Sequence, residues 1–222
     1  MTIELLEQSS LRGAPSARLP SLVTRRLGLV EYVEAYDAMR RFTAERTAAT
    51  PDELWLTEHR AVYTLGQAGQ TNHLLRETSV PLVRVDRGGQ ITYHGPGQAV
   101  IYTLLDLRRR RLAVRRLVWL LEQAAIDVLA EHGIVGERRA GAPGIYIDGA
   151  KIAALGLRVR NDGCYHGLAF NVDMDLTPFD DINPCGYEGL RVTQLRDLDV
   201  HTTVSEVADA LAAHFERRLL AE

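Results

Sequence analysis

Lys151 and Cys185 are the residues whose types and settings point most directly to chemistry. Of the 26 basic residues, Lys151 is the only lysine; every other one is arginine. Arginine keeps its proton in a protein, whereas burial disfavours the charged form of lysine and lowers its pKa from about 10.4. A position that must accept and return a proton therefore needs lysine. If KIAALGLRV, from 151 to 159, is an unbroken strand, Lys151 shares a face with Ala153, Leu155, Leu157 and Val159, while Ile152, Ala154, Gly156, Arg158 and Arg160 share the other. The lysine then faces the apolar side and the arginines the wetter one. The competing reading is a surface lysine left behind by a drift to arginine, and a bulge at Gly156 would break the alternation.

Cys185 stands in INPCGYEGL, residues 182–190, in a turn between Pro184 and Gly186. A turn at a cleft can present a sulfur together with backbone N–H groups, although a free cysteine is more commonly a small buried hydrophobe. A thiol, with a reference pKa near 8.5, is a weak nucleophile until ionised, and an adjacent amine can take its proton and stabilise the thiolate. Lys151 and Cys185 would make such a pair. Cys164, in NDGCYHGLAF, starts a strand and reads as structural. Cys164, His166 and Cys185 are conceivable metal ligands, but no CxxC or HxxxH spacing supports them and no metal is expected.

The stretch RGGQITYHGPGQAV, residues 87–100, sets four glycines and a proline around Tyr93 and His94. Glycines let backbone approach a ligand closely. The pattern is neither a GxxxxGK[ST] phosphate loop nor a GxGxxG dinucleotide turn. A tight structural turn is the plain alternative, but the glycine density favours a ligand-contact loop.

These residues need elements to hold them. Helical spacing of apolar residues marks 30–47 and, more clearly, 114–131; a third helix over 203–220 opens with a Thr203–Glu206 capping box. Between them lie β-like runs: ELWLTEH, PLVRVD, AVIYTLLDL, GIYI, KIAALGLRV and HGLAFNVD. Asp148-Gly149 is a hairpin turn between GIYI and KIAALGLRV. The elements intermix without a βαβ rhythm, so the expected fold is α/β of the α+β type, a mixed sheet with packed helices. Residues 1–20 read as a flexible arm, and 21–222 as a single domain. Hydrophobic content of 46% and charged content of 25% are those of a soluble globular protein. A net charge of −3 argues against a nucleic-acid binder, and no run is apolar enough to span a bilayer. With two cysteines and no secretory signal, the expected setting is the reducing cytoplasm.

DRGGQITYHGPGQAVIY, APGIYIDGAKIAALGLRVRN, HGLAFNVDMDL and INPCGYEGL together resemble the lipoate-biosynthesis octanoyltransferases, collinearly over about residues 22–195. The resemblance implies the catalytic fold of lipoate- and biotin-protein ligases. It implies transfer of an octanoyl group from acyl carrier protein to a lysine of apo lipoyl domains, in the E2 subunits of 2-oxo-acid dehydrogenases and the glycine cleavage H protein. It assigns the acyl thioester to Cys185 and the proton transfer to Lys151. Substrate contacts map to Arg87, Gly88, Gly89, Gln90, Ile91, Thr92, Tyr93 and His94, to Ala154, Leu155 and Gly156, and to Gly167, Leu168 and Ala169. No cofactor is implied, and a monomer is expected. EHRAVYTLG at 58–66 and YTLLDL at 102–107 depart from the family's usual EHPPVYTLG and YPLLDL.

On this mechanism Lys151 takes the Cys185 proton, the thiolate attacks the donor thioester, and the acceptor lysine then attacks the acyl-enzyme. Backbone N–H groups around Cys185 or around 154–156 are the two candidate oxyanion holes. Ile91, Ala153, Leu155 and Leu168 are candidates for an apolar acyl tunnel. The run Arg108–Arg111, with Arg115 and Arg116, reads either as a surface steering an acidic carrier or as a solvated helix start. The alternatives are an ATP-dependent lipoate or biotin ligase, which needs no nucleophilic cysteine, a binding protein without turnover, and a cysteine hydrolase.

Overall fold

The apolar runs become strands of two sheets in the computed structural model, which describes residues 22–222; the arm expected over 1–20 lies outside the described residues. In chain order the elements are β1 (Leu22–Val30), α1 (Tyr32–Ala44), β2 (Asp52–His59), β3 (Val62–Leu65), β4 (Leu82–Arg84), β5 (Ile91–His94), β6 (Gln98–Asp106), α2 (Val114–Glu131), β7 (Glu137–Arg138), β8 (Ile145–Ile147), β9 (Ala150–Arg160), β10 (Gly163–Asn171) and α3 (Val204–Leu219). Seven strands form the main sheet in the order β1-β2-β6-β10-β9-β8-β7; β4-β3-β5 form a second, smaller sheet. β1–β2 and β3–β4 pair in parallel, and an isolated parallel bridge joins Lys151 to Val192. The fold is the mixed α/β arrangement the element pattern implies.

Helices α2 and α3 bury their apolar stripes on one face of the main sheet, against Leu54, Leu56, Ile101, Leu105 and Phe170. Helix α1 covers part of the opposite face, where Ala35 and Met39 meet Trp55, Tyr102, Leu104 and Tyr165. The capping box at α3 forms as its sequence requires: the Glu206 N–H donates to Thr203 Oγ1 at 3.2 Å, and the Thr203 N–H donates to Glu206 Oε2 at 2.8 Å. Strand β1 has no clean alternation in sequence. It is an edge strand whose exposed arginines are held from outside, Arg25 by Glu53 and Arg26 by Asp209.

Asp148-Gly149 closes the β8–β9 hairpin with both residues at positive φ, 47° and 83°. One hairpin register step corrects the strand expectation. Ile145 pairs with Ala153 but Tyr146 with Lys151, so the bulge falls at Ile152 and not at Gly156. Ile152 and Ala153 both pack into the main core. Lys151 is thereby turned to the side of Ala154 and Gly156, away from the Ala153–Leu155–Leu157 face that unbroken alternation assigns it.

Two arginines of the 108–111 run are taken up by the fold. Asp52 is fully buried and is gripped by Arg46, Arg109 and Arg110, the Arg109 contact being 2.7 Å. Arg116 pairs with Glu222 at 2.6 Å. Arg109 and Arg110 therefore serve the fold rather than a partner. They follow Asp106, at the end of β6 remote from Gln98.

Candidate active site

A slot opens on the α1 side of the main sheet, under the loop that runs from β4 into β5. Three adjacent strands form its base: Val100 and Tyr102 from β6, His166 to Ala169 from β10, and Ala154 to Gly156 from β9. Gly156 pairs with Gly167 across β9 and β10, Leu155 with Leu168, and Ala154 with Ala169, so one wall is a strip of small and apolar residues. Arg87, Gly89, Gln90, Ile91, Thr92 and His94 form the opposing wall, and Tyr32 of α1 closes one end. Side chains at 156 are excluded because the loop backbone passes close by: a methyl there would meet the Gly88 carbonyl at 2.9 Å.

The loop is fixed by its backbone. The Gly88 N–H donates to Leu157 O at 2.9 Å, Gln67 N–H to Arg87 O at 2.9 Å, and Ala68 N–H to Gly89 O at 3.2 Å. Arg87 is buried and donates to both the carbonyl and hydroxyl oxygens of Thr64 at 2.8 Å. Among the expected contacts, Gly88 serves this latch. Tyr93 points away from the slot, packing on Tyr63 and Phe179 in the small sheet's core. Of the tunnel candidates, Ile91, Leu155 and Leu168 line the slot, while Ala153 belongs to the main core.

The slot's histidines are neutral, and the lining cation, Arg87, is turned into the loop's own hydrogen bonds with Thr64 and Gly88. Burial lowers the pKa of His94 to about 3 and that of His59 to about 4. Neutral His59 donates from Nδ1 to Val30 O at 3.2 Å and accepts from the Tyr102 hydroxyl at 2.6 Å. Burial likewise holds His166 below its ordinary pKa, against the pull of Asp86. Burial works against ionised Asp86, but hydrogen bonds from His166 and Tyr165 outweigh it and keep the carboxyl well below the usual range. The Asp86–His166–Tyr165 cluster, Tyr32 and Tyr102 escape motif reading because they lie in four separate elements and meet only in the folded sheet.

In a small cavity that shares Thr92 and Ala154 with the slot, Lys151 is 4% exposed. Its N–H donates to Arg191 O at 2.8 Å and its carbonyl accepts from Thr193 N at 3.0 Å, so segment 191–193 clamps it on one side. A chain of amides reaches the same segment: His94 Nδ1 to Gln98 Oε1 at 2.7 Å, Gln98 Nε2 to Asn171 Oδ1 at 2.9 Å, and Asn171 Nδ2 to Thr193 O at 3.0 Å. Gly144 passes directly over the lysine, and a methyl there would collide with Lys151 Cε and the Ala153 carbonyl. Its φ of 131° is a second reason for glycine.

The short 3-10 turn Pro184–Gly186 carries Cys185, whose side chain lies outside the described residues. Both flanks of the turn are fixed against the site. Pro184 lines a small cavity together with Lys151, Thr92, Gln98 and Asn171. Gly186 abuts Gln90, a methyl on it being 3.2 Å from Gln90 Cγ. Cys164, by contrast, is buried in β10, where burial pushes its thiol up to about 12. It stays protonated at neutral pH. Among the described residues no cluster of His, Cys, Asp and Glu has the geometry of a metal site.

The arrangement is a mainly apolar slot, with neutral histidines and a hydrogen-bonded arginine in its lining, next to a buried lysine beside a proline-cysteine-glycine turn. Such a site can hold an aliphatic chain and move a proton at its end. Residues 31–216 match the family described as lipoyl protein ligase A/B catalytic domain. The chain is 61% identical over 203 residues to the octanoyltransferase of Aromatoleum aromaticum, covering 91% of this chain and 88% of that one. It is 61% identical over 208 residues to the octanoyltransferase of an Azoarcus species, covering 93% and 92%. The fold is similar to that of lipoate-protein ligase A bound with ATP, with a TM-score of 0.70, 16% identity and coverage of 91% and 86%. It is also similar to biotin protein ligase from Aquifex aeolicus, with a TM-score of 0.55, 13% identity and coverage of 90% and 70%.

Proposed function

The chain belongs to the lipoyl protein ligase A/B catalytic-domain family and, within it, to the octanoyltransferases; from that premise we propose that it carries an octanoyl group from acyl carrier protein to a lysine of a lipoyl domain, by way of a thioester on Cys185. The observation that carries the reading is the placing of the chain's single lysine, buried, in one small cavity with the proline that precedes Cys185.

The Cys185 proton passes to Lys151 Nζ, and the thiolate attacks the donor carbonyl. The donor C–S bond breaks, and the leaving pantetheine sulfur takes the proton back. One thioester replaces another, so this step is nearly balanced. In the second half-reaction the acceptor amine attacks the acyl-enzyme, its proton moves to Lys151 and on to the Cys185 sulfur, and the C–S bond of the intermediate breaks. Thioester to amide is downhill and needs no ATP. This is nucleophilic catalysis with one base serving two matched steps.

The slot accounts for the acyl group. Each methylene removed from water contributes about 0.8 kcal/mol. Neutral His94, His59 and His166 leave no imidazolium to be desolvated as the chain enters. The fixed RGG loop and strand strip supply a preformed surface rather than one ordered on binding.

The test is intact mass after mixing the protein with octanoyl-acyl carrier protein alone. An octanoyl adduct absent in Cys185→Ser, and passed to a lipoyl domain added later, is the expected result. No adduct, with transfer only when ATP and octanoate are supplied, would assign the chain a ligase reaction instead.

A further inference from the structure

The geometry points to a second recognition site: Arg139 and Arg191 form a carboxylate-binding subsite for the acceptor polypeptide, taking an acidic side chain that flanks its target lysine. This rests on the reading above, that the acceptor is a protein lysine. The two arginines line a groove of about 440 Å³ between the loop after β7, the Asp148-Gly149 turn and segment 187–191. Both side chains are exposed. Gly149 serves as a ruler: a methyl there would lie 3.0 Å from Arg139 Nη2 and 3.8 Å from Arg191 Nη2, so the two guanidinium groups come within about 7 Å of each other.

Among the described residues neither cation is paired with a carboxylate. Arg191 donates to Asp148 O at 2.8 Å and Arg139 stacks on the Tyr146 ring at 4.4 Å. Glu188, the one acidic side chain lining the groove, makes no ion pair with either among the described residues. Arg46, Arg109, Arg110 and Arg218, elsewhere in the fold, are all paired with carboxylates. Two converging guanidiniums without a carboxylate partner among the described residues are a site for an anion, since charge-assisted hydrogen bonds to a carboxylate relieve their repulsion.

Distance selects the occupant. Arg139 Cζ lies 4.4 Å and Lys151 Nζ 5.4 Å from the same Tyr146 ring, so the Arg139 end of the subsite is at most about 10 Å from Lys151 Nζ. Segment 191–193 also clamps the Lys151 backbone, which ties the subsite rigidly to that centre. A lysine side chain reaches about 6 Å, and neighbouring Cα atoms are 3.8 Å apart, so acids one or two residues from an acceptor lysine fall at this range. The phosphate of an extended pantetheine arm, about 16 Å from its sulfur by bond lengths, falls well beyond it.

The experiment separates the half-reactions in the full-length protein. Arg139→Gln, which leaves the Arg191 clamp on Lys151 untouched, is compared with its parent for the rate of acyl-enzyme formation from octanoyl-acyl carrier protein, and for single-turnover transfer to an apo lipoyl domain. A second acceptor carries amides in place of the acids within two residues of the target lysine. Acyl-enzyme formation should stay within about twofold, and the acceptor concentration for half-maximal transfer should rise roughly tenfold. The amide acceptor should show the same loss with the parent and no further loss with Arg139→Gln. Slower acyl-enzyme formation would hand the groove to the donor and overturn the proposal. So would additive losses, or no change in either step. Direct binding of the apo lipoyl domain to unacylated enzyme decides the subsite independently, so a parent that forms no acyl-enzyme refutes the catalytic reading and not this one.

Discussion

At the residue scale, the case turns on what only lysine can do at position 151. Lys151→Arg keeps a cation but cannot release a proton, and should lower kcat/KM by about a hundredfold or more with the fold intact. Near-parental turnover with an unchanged circular dichroism spectrum would remove proton transfer from the account. Cys185→Ser should end acyl-enzyme formation while Cys164→Ser spares it, because the Cys164 thiol is buried among core side chains and held protonated. Gly144 gives a separate handle. A methyl at 144 collides with Lys151 Cε and a backbone carbonyl, at a φ that disfavours side chains. Gly144→Ala should therefore cost roughly 1–3 kcal/mol of stability and misplace the lysine, read as a lower rate of acyl-enzyme formation at fixed donor. An alanine variant with both stability and rate unchanged would show that the lysine is not held from above. Lys151, Cys185 and Cys164 stand out in the sequence by type. What holds Lys151 does not: the clamp at 191–193 and the cover at 144 come from segments on either side of β9.

At the element scale, the β8–β9 hairpin shows how much one register step decides. Its turn is legible from Asp148-Gly149. The bulge at Ile152 is not, because nothing in KIAALGLRV marks an extra residue; pairing with β8 on one edge and β10 on the other imposes it. The bulge moves Lys151 from the core face to the slot face. The arginine run is a second instance. Read alone it is a basic surface or a solvated helix start; in the fold two of its members, Arg109 and Arg110, are bound to the Asp52 carboxylate at the start of β2. Asp52→Asn leaves Arg46 and Arg110 buried without their counter-ion, and should cost about 3–5 kcal/mol, measured by urea unfolding. A loss under 1 kcal/mol would mean that water replaces the carboxylate at that end of the sheet.

At the scale of the whole molecule, the neutral histidines link stability to pH. His94 and His59 have folded pKa values of about 3 and about 4, below the unfolded value near 6.5. Between those limits the unfolded chain binds more protons, so stability is full above about pH 6.5 and falls as pH drops toward 4. Each histidine adds a slope of up to about 1.4 kcal/mol per pH unit. His94→Gln should flatten the profile between pH 6 and 4 in urea melts; a profile of unchanged slope would show that His94 takes up its proton in the folded state. The Asp86 carboxylate adds a loss in the same direction at still lower pH.

By itself the sequence determined the chemistry available and the class of fold. The lone lysine, the cysteine in its proline-glycine turn and the glycine-rich loop are local facts, and so are the helix periods, the capping box and the hairpin turn, because each depends on residues within one or two turns of chain. The tertiary structure alone decided which of them meet. The slot draws its walls from β6, β9, β10 and the RGG loop, its end from Tyr32 of α1, and its neutral histidines from burial, which is a property of the packed sheet and of no single segment. The register that turns Lys151 toward Pro184, and the convergence of Arg139 and Arg191 on Gly149, are likewise set by hydrogen bonds between strands and loops distant in the chain. Alternation and propensity act over a few residues, whereas a site is fixed where strands from far apart are made neighbours.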